Sequence, residues 1–394
     1  MLTLKILFWA CLLIVFYTYL GYGILLYIII RLRRFFKGKP QKTVMPQDDE
    51  LPTMTLMICA YNEEDVVAEK MENTLAIDYP KDKLQIMWVT DGSNDHTNEL
   101  LSAYPEVDIV FSPERRGKTA ALKHGLRELQ TRYVAFTDAN TMINTDALRE
   151  IARLFRDPTV GCVSGEKRVA ARKAGEMAAE GEGLYWKYES TLKRWDSELY
   201  SAMGAAGELY AIDPDLCREV PDEALLDDFM MSMYVVQAGK RIAYTADAYA
   251  MEYGSANIHE ESKRKRRIAA GGLQSIWWLR SMLNPLRQPL VTFQYVSHRV
   301  LRWSITPIAM VLLLLVNIAL VAIGAGSFYT VMLIGQALFY LAAILGWLLN
   351  RYGYKNKLLY TAYYFVFMNF NVFRGMAYLK SHGKSGAWEK AKRS

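Results

Sequence analysis

Two adjacent carboxylates, Asp227 and Asp228, lie inside an apolar segment and are the first candidates for chemistry. Two leucines precede them at 225–226, and the run Phe-Met-Met follows at 229–231. Carboxylates are rarely buried without a partner, so an apolar setting for two of them needs an explanation. They could begin a helix, where aspartates cap the backbone and interact favourably with the helix dipole. They could also form a catalytic pair, and the local sequence leaves both interpretations open.

Further polar residues follow four short apolar runs, each at the point where the run ends. Single clusters of this kind are typical of turns, but four after successive strands would share one edge of a sheet. Tyr61 and Asp91 would suit the base and ribose of a nucleotide, with its phosphates near Lys118. Asp138 would hold a divalent cation, since Mg²⁺ and Mn²⁺ commonly bridge carboxylate and phosphate oxygens. The clusters are Ala-Tyr-Asn-Glu at 60–63, Thr-Asp-Gly-Ser at 90–93, Arg-Arg-Gly-Lys at 115–118 and Asp-Ala-Asn at 138–140.

Motifs for several other chemistries are missing from the sequence. There is no GxxxxGK[ST] loop, which argues against a P-loop NTPase, and no GxGxxG after the first strand, which argues against a dinucleotide cofactor. The four cysteines are scattered without a CxxC pair, so neither a zinc site nor a disulfide framework is indicated. A net charge of +6 without one dominant basic block argues against nucleic acid as a partner.

Alternating strands and helices are predicted to position these clusters. Such alternation indicates parallel strands in an α/β sheet, with the ligand beyond the carboxyl ends of the strands. The predicted strands are 54–59, 84–90, 107–111 and 133–137, and the predicted helices are 63–75, 97–101, 119–130 and 146–155.

The N-terminal apolar run at 4–30 is long enough to span a bilayer. Lys5 is the one basic residue at its start, whereas six basic residues follow the run between 31 and 42. In a signal peptide the charge would come first. By the positive-inside rule, the pattern predicts an uncleaved anchor with its N-terminus outside and the next domain in the cytoplasm. The expected location is therefore the inner (plasma) membrane, as a multi-pass protein.

The C-terminal region contains further apolar runs at 305–323 and 328–349, each long enough to span. A third at 358–373 is short and polar in part, and the sequence does not decide whether it crosses or re-enters. The mixture of Trp, Tyr and Arg at 273–303 suits amphipathic helices at the membrane interface, with a core helix as the alternative. The predicted domains are an anchor with its basic flank at 1–42, a cytoplasmic domain at 50–272, interfacial helices at 273–303 and a transmembrane region with a basic tail at 304–394.

Taken together, the motifs resemble the inverting family-2 glycosyltransferases of the GT-A fold. Within them the likeness is to the membrane-bound group of cellulose, hyaluronan and poly-N-acetylglucosamine synthases. It rests on the four clusters, on Gly-Ala-Ala-Gly at 204–207 and on the aspartate pair at 227–228, and it covers about 51–272. The resemblance implies a nucleotide-sugar domain with a mostly parallel sheet and helices on both faces, between transmembrane helices at both ends.

The resemblance also implies roles for the matching positions. Asp228 would be the general base, with Asp227 as its neighbour, and Mg²⁺ or Mn²⁺ would be the cofactor. The UDP-sugar would be bound by Tyr61, Glu63, Asp91, Lys118 and Arg267, the metal by Asp138 and Asn140, and the acceptor side would be formed by Gly204, Gly207 and Ile268.

Two positions depart from the family pattern. Asn140 stands where the metal motif usually has its second aspartate, and it offers an oxygen without charge, which predicts weaker metal binding. The later Gln-x-x-Arg-Trp motif corresponds to residues 264–268, where Arg267 fits the diphosphate-binding arginine and Ile268 replaces the tryptophan. In processive members that tryptophan packs beside the acceptor sugar, so long-chain synthesis is open to question. The basic residues at 263–267 would also suit a membrane surface.

The function that follows is transfer of a sugar from a UDP-sugar, with inversion to a β-linkage, to a growing surface or exopolysaccharide chain. One alternative is transfer of a single sugar to a lipid acceptor. Another is a catalytically silent subunit of a polysaccharide export complex, and a third is a nucleotidyltransferase. Expected partners are the UDP-sugar, a polysaccharide or lipid-linked acceptor and membrane lipid, with a translocation partner or a second copy of the chain also considered.

Overall fold

The computed structural model describes residues 1–40, 43–170, 177–253, 258–354 and 356–382. The end of the predicted basic flank, Lys42, and the basic tail after residue 382 lie outside these ranges. The described chain forms an α/β domain flanked by long apolar helices, as the sequence predicts.

In the described part of the chain, eight strands form one mixed sheet. They are β1 (Met54–Ala60), β2 (Leu84–Asp91), β3 (Val107–Ser112), β4 (Tyr133–Asp138), β5 (Met142–Ile143), β6 (Val160–Ala170), β7 (Leu209–Ile212) and β8 (Arg241–Tyr253). Their order across the sheet is β3-β2-β1-β4-β7-β6-β8-β5. β1 pairs in parallel with β2 and β4, and β2 pairs in parallel with β3, so the four predicted strands are confirmed as a parallel set. β7 is antiparallel to β4 and β6, whereas β6 and β8 are parallel.

Helices cover both faces of this sheet. The α-helices are α1 (Leu2–Phe16), α2 (Tyr22–Lys37), α3 (Val67–Leu75), α4 (Thr97–Leu101), α5 (Lys118–Arg127), α6 (Ala147–Phe155), α7 (Met177–Leu199), α8 (Asp227–Gln237), α9 (Ile258–Trp278), α10 (Pro289–Tyr295), α11 (Leu301–Trp303), α12 (Ile305–Ala322), α13 (Ser327–Arg351) and α14 (Lys357–His382). Successive strand residues point to opposite faces. Met57 and Phe136 accordingly belong to one buried apolar cluster, and Leu56 and Ile58 belong to another.

The parallel register brings the ends of the predicted strands to one edge of the sheet. Ala60 lies opposite Thr90, and Cys59 lies opposite Asp138. Beyond β1, Asn62 adopts a positive φ of 51°, a conformation that asparagine tolerates better than most residues. Its side chain exchanges hydrogen bonds with the side chain and backbone of Asn94 at 2.7 and 3.0 Å. These hydrogen bonds therefore hold the loops after β1 and β2 together.

Within the described ranges, three helical segments are long and apolar enough to cross a membrane. The first runs continuously through α1, a π-helical turn at Tyr17–Gly21 and α2, and the others are α12 and α13. Thr18 hydrogen-bonds Thr306 at 2.8 Å, and the ring of Phe8 meets that of Tyr329 edge-on at 5.1 Å between centroids. The N-terminal and C-terminal apolar helices therefore pack together as one bundle.

The undecided segment at 358–373 belongs to α14, which is not among the three apolar segments. Tyr364 donates a hydrogen bond to Glu261 at 3.1 Å, and Ser262 donates one to Asn371 at 3.0 Å. Glu261 and Ser262 belong to α9, so α14 packs beside the basic cluster predicted to contact the donor.

The segment at 289–303 matches the core-helix alternative. Tyr295 is 0% exposed, and Arg299 and Trp303 are 7% and 9% exposed. Arg299 donates a hydrogen bond from Nε to the carbonyl of Met203 at 2.7 Å. Arg302 is likewise only 8% exposed, so both arginines point into the protein and do not form the polar face that an interfacial helix would turn to the lipid headgroups.

Candidate active site

A cavity of about 800 Å³ lies at the carboxyl ends of β1, β2 and β4. Every residue predicted for the site from the sequence lines it, except Gly204. The cavity also reaches the flanking helices, where Leu20 of the first apolar segment and Phe365, Met368 and Val372 of α14 form part of its wall. One space thus joins the edge of the sheet to these flanking helices.

Asp91 fixes the position of the basic loop that precedes α5. Its two carboxylate oxygens accept hydrogen bonds from the backbone N–H groups of Arg116, at 2.9 Å, and Gly117, at 2.6 Å. Asp91 is only 5% exposed, so these bonds are well shielded from water. In this structure the residue holds Lys118 at the cavity through the loop, a task that its sequence motif did not suggest.

Tyr61 forms a flat aromatic surface at the cavity. The guanidinium of Arg115 stacks on its ring at 3.9 Å from the centroid, a distance suited to a cation–π interaction. Glu63 lines the cavity nearby, and its backbone N–H donates to the hydroxyl of Thr97 at 2.9 Å. A nucleobase would find here an aromatic face with a planar cation able to stack.

Asp138 and Asn140 provide side-chain oxygens at the cavity surface. Asp138 forms an ion pair with Lys118 at 2.6 Å, and its side chain is 30% exposed. No group of three or more His, Cys, Asp or Glu side chains suited to a metal occurs in the described ranges. Mg²⁺ and Mn²⁺ often take only one or two protein carboxylates and complete their coordination with phosphate oxygens and water. The residues therefore fit an ion that arrives with a diphosphate, and they do not form a closed cage.

Asp227 and Asp228 occupy the first turn of α8, where the helix dipole favours negative charge. Asp228 Oδ1 accepts a hydrogen bond from the backbone N–H of Phe229 at 2.8 Å. Asp227 Oδ2 is buried and has no hydrogen-bond partner among the described residues. Both residues line the cavity, so the pair combines the position of a helix start with access to a ligand.

The pKa of Asp228 is raised to about 6, first by burial and then by the charge of Asp227, while Lys118 opposes both effects. A carboxylate with this pKa is mostly ionised at neutral pH. It also accepts a proton more readily than an ordinary aspartate, because proton acceptance improves as the pKa approaches the operating pH.

Of the three predicted acceptor-side residues, Gly207 and Ile268 line the cavity and Gly204 does not. A Cβ on Gly207 would meet Asp228 Oδ2 at 3.0 Å, so glycine lets the backbone approach the carboxylate. Gly204 has a φ of +94°, and a Cβ there would lie 2.3 Å from the ring of Phe229. Glycine at 204 therefore lets the loop pack closely against the ring of Phe229. Ile268 lines the cavity on α9.

Arg267 is free to bind a ligand. Its guanidinium forms no hydrogen bond or ion pair with any residue that the structure describes, and its Nε is buried without a partner. Since Arg267 lines the cavity, a bound anion would satisfy these donors.

Several charged cavity residues were not predicted from the sequence. Glu208, which follows Gly207 directly, is 8% exposed and forms ion pairs with Lys167 and, at 3.4 Å, with Arg264. Although burial opposes it, these two cations hold the pKa of Glu208 well below its usual range. The network anchors the basic part of α9 to the sheet. Its only sequence signal was the position of Glu208 beside the glycine loop. The other charged residues that line the cavity without an individually predicted role are Arg115, Glu189, Lys193, Arg264, Lys265, Arg299 and Arg302.

Known proteins similar to this chain agree with the geometry. The family model described as "Glycosyltransferase like family 2" matches residues 52–271. A poly-beta-1,6-N-acetyl-D-glucosamine synthase of Staphylococcus aureus is 34% identical over 151 residues, which are 37% of this chain and 35% of that protein. A beta-monoglucosyldiacylglycerol synthase of Synechocystis is 25% identical over 236 residues, covering 57% of this chain and 48% of that protein. The matches thus span about a third to a half of these relatives' lengths.

Among solved structures, the mannosyltransferase PcManGT of Pyrobaculum calidifontis, in complex with GDP-Man and Mn²⁺, has a TM-score of 0.70 and 23% sequence identity. The alignment covers 96% of this chain and 99% of that one, so the likeness of fold includes the flanking helices. Since the family model matches more than half of the residues, the chain belongs to glycosyltransferase family 2 and is a glycosyltransferase.

Proposed function

We propose that the protein transfers a sugar from a UDP-sugar, with inversion to a β-linkage, onto a growing surface or exopolysaccharide chain. The observation that carries the proposal is the shared cavity, in which the predicted donor residues and Asp228 line one space. Inversion needs the attacking hydroxyl and the leaving diphosphate on opposite sides of the anomeric carbon. A cavity with cationic side chains and a separate carboxylate base suits that requirement.

On the donor side, Lys118 and Arg267 bind the diphosphate and neutralise the charge that develops as it leaves. Asp138 and Asn140 would hold Mg²⁺ or Mn²⁺, which supplies Lewis-acid stabilisation of the diphosphate when bound. Tyr61 and Arg115 provide the stacking surface for the base. Asp91 keeps the Lys118 loop in place through its two backbone hydrogen bonds.

On the acceptor side, Asp228 accepts the proton of the attacking hydroxyl. The new bond forms between that oxygen and the anomeric carbon, while the bond to the diphosphate oxygen breaks and UDP departs. Asp227 raises the pKa of Asp228 through its charge. Gly207 leaves room for the acceptor next to the carboxylate.

The polysaccharide acceptor is supported by the match to the poly-N-acetylglucosamine synthase of Staphylococcus aureus. A lipid acceptor is the second candidate, because Phe365, Met368 and Leu20 make part of the cavity wall apolar. Ile268 at the position of the processive tryptophan also favours it. The relative from Synechocystis, whose name is beta-monoglucosyldiacylglycerol synthase, supports the same candidate.

The proposed setting is the inner (plasma) membrane, with residues 50–272 in the cytoplasm where nucleotide sugars are available. Residues 1–42 and 304–394 form the membrane regions on either side, and 273–303 connects them to the catalytic domain. The basic residues between 31 and 37 in the last turns of α2 support this orientation.

The test is a nucleotide-release screen with the purified full-length protein in lipid nanodiscs. UDP-glucose, UDP-galactose, UDP-N-acetylglucosamine, UDP-glucuronate and GDP-mannose are each supplied with Mn²⁺ or Mg²⁺. Release of UDP from one UDP-sugar is expected, and release from GDP-mannose alone would overturn the assignment of the nucleotide. A ladder of products indicates a polymer, whereas a single product that partitions with lipid indicates the second candidate.

A further inference from the structure

A buried lysine in the cavity has no task in the proposed mechanism. Lys193, on α7, is 4% exposed and lines the cavity. Its ammonium group forms no hydrogen bond or ion pair with another residue in the described ranges. Burying an ammonium without a partner is costly. The pKa of Lys193 is lowered to about 8, first by this burial and then by the charge of Arg299.

The carboxylates around Lys193 are already occupied. Glu189, one helical turn earlier on α7, forms ion pairs with Arg299 at 2.7 Å and with Arg302 at 2.9 Å. His298 contacts the same carboxylate at 3.2 Å. Glu208, whose charge also acts on Lys193, is held by its own network with Lys167 and Arg264. The protein therefore supplies no dedicated anion for Lys193.

The region is a positively charged part of an otherwise mixed cavity. Lys193, Arg299 and Arg302 line it, all less than 10% exposed, and Glu189 is the carboxylate that two of them share. Asp228 is the remaining carboxylate whose charge acts on Lys193. If Asp228 is the base, the excess positive charge lies on the acceptor side of the reaction.

A phosphate group has the chemistry that such a region would bind. Its oxygens can accept charge-assisted hydrogen bonds from an ammonium and a guanidinium at the same time. The same cavity continues to the apolar side chains of Phe365, Met368 and Val372 on α14. A molecule with a phosphate near its reacting hydroxyl and an apolar tail would therefore match both parts of the wall.

We propose that Lys193, with Arg299 beside it, binds a phosphate group of the acceptor, so that the acceptor is a phosphate-bearing molecule with a free hydroxyl. The inference rests on the proposed function, because it assumes that the acceptor enters this cavity next to Asp228. It goes further in naming the acceptor's charge and the residue that recognises it. Lys193 is a binding residue in this scheme, and it takes no part in the proton transfer.

The experiment measures binding and turnover separately. The purified full-length protein in neutral detergent is titrated with dioleoyl phosphatidylglycerol, with sn-glycerol 1-phosphate or with dioleoylglycerol, and binding is followed by tryptophan fluorescence. The probes separate a lipid phosphate from a soluble phosphate and from a neutral lipid. The variants are Lys193→Met, Lys193→Arg and, as the matched control, Lys187→Met, which changes an exposed lysine on the same helix.

We expect Lys193→Met to weaken phosphatidylglycerol binding by about 10- to 100-fold, the usual worth of a hydrogen bond to a charged group. Lys193→Arg and Lys187→Met should stay within about threefold of the unaltered protein. Dioleoylglycerol should bind at least about tenfold more weakly than phosphatidylglycerol. If glycerol phosphate binds as tightly as the lipid with the same dependence on Lys193, the phosphate site stands and its ligand is soluble.

Equal binding of phosphatidylglycerol by Lys193→Met and the unaltered protein would overturn the proposal, as would a loss of UDP affinity in place of phosphate affinity. If Lys193→Met does not fold, the comparison of the two lipids on the unaltered protein and on Lys193→Arg decides. UDP release is measured on the same samples. UDP release without Lys193-dependent phosphate binding refutes this inference alone, whereas phosphate binding without UDP release refutes the proposed function.

Discussion

Replacing Asp228 by asparagine separates its role as a base from its role at the start of a helix. The substitution keeps the shape of the side chain and its hydrogen bond with the Phe229 N–H, but it removes proton acceptance. Turnover should fall by about 10²–10⁴-fold, the usual contribution of a general base. UDP affinity should stay near normal, because the proposed diphosphate contacts come from Lys118 and Arg267.

The same substitution should stabilise the fold. The pKa of Asp228 lies at about 6 in the folded chain against an ordinary 3.8, so between these values the folded chain keeps a proton that the unfolded chain has lost. Stability therefore falls as pH rises through this window. Each pKa unit is worth about 1.4 kcal/mol. After a discount for the partial exposure of the carboxylate, the ionised group costs about 1–2 kcal/mol at pH 7. Asp228→Asn should recover that amount.

The assay measures nucleotide release, UDP affinity and urea unfolding of Asp228→Asn beside Asp215→Asn, whose side chain is 89% exposed and lies outside the cavity. In the unaltered enzyme, kcat/KM should fall about tenfold per pH unit below about pH 6, because the base is then protonated. Asp227→Asn should move this limit to lower pH, since it removes a charge that raises the pKa. Near-normal turnover of Asp228→Asn would refute the reasoning, because asparagine serves a helix start about as well as aspartate does.

Three further outcomes are expected. Asp138→Ala should abolish turnover, whereas Asn140→Asp should keep it and lower the metal concentration required; full activity of Asp138→Ala in a chelator would exclude the metal site. Lys70 is fully buried with its pKa lowered to about 7 by burial, so stability should rise between about pH 7 and 10, and Lys70→Met should flatten that rise in urea unfolding. A cysteine replacing Asp222, which is 78% exposed, should resist an impermeant thiol reagent in intact cells, and labelling would reverse the proposed orientation.

The strand ends could be predicted from the sequence because each is a local pattern. An apolar run followed by polar residues specifies where a buried strand stops, and the parallel alternation with helices places the stops on one edge. The structure confirms this at β1, β2 and β4, whose ends all reach the cavity. The task of Asp91 could not be predicted, because its partners are backbone N–H groups on a loop whose course depends on the fold.

The charged residues that α7 and the segment at 289–303 contribute to the cavity were not predicted, for a related reason. Its charges meet only after α7 and the segment at 289–303 have packed together, and Glu189 and Arg302 are 113 residues apart in the sequence. Arginines among aromatic residues suit a membrane interface as well as a buried ion-pair network. Only their burial in the structure distinguishes the two. Contacts between residues so far apart in the chain leave no periodic pattern in the local sequence from which they could be predicted.

The two explanations of the aspartate pair prove compatible, and their combination has a chemical consequence. A helix start favours the ionised form of a carboxylate, whereas burial and the adjacent charge of Asp227 favour its protonated form. At Asp228 the second influence prevails, and the pKa is raised to about 6. A carboxylate on a flexible loop would also lack a fixed direction, but the first turn of α8 and the close approach of Gly207 hold this one at the cavity. The helix start therefore provides the position and the apolar setting provides the basicity, which is the combination that a general base requires.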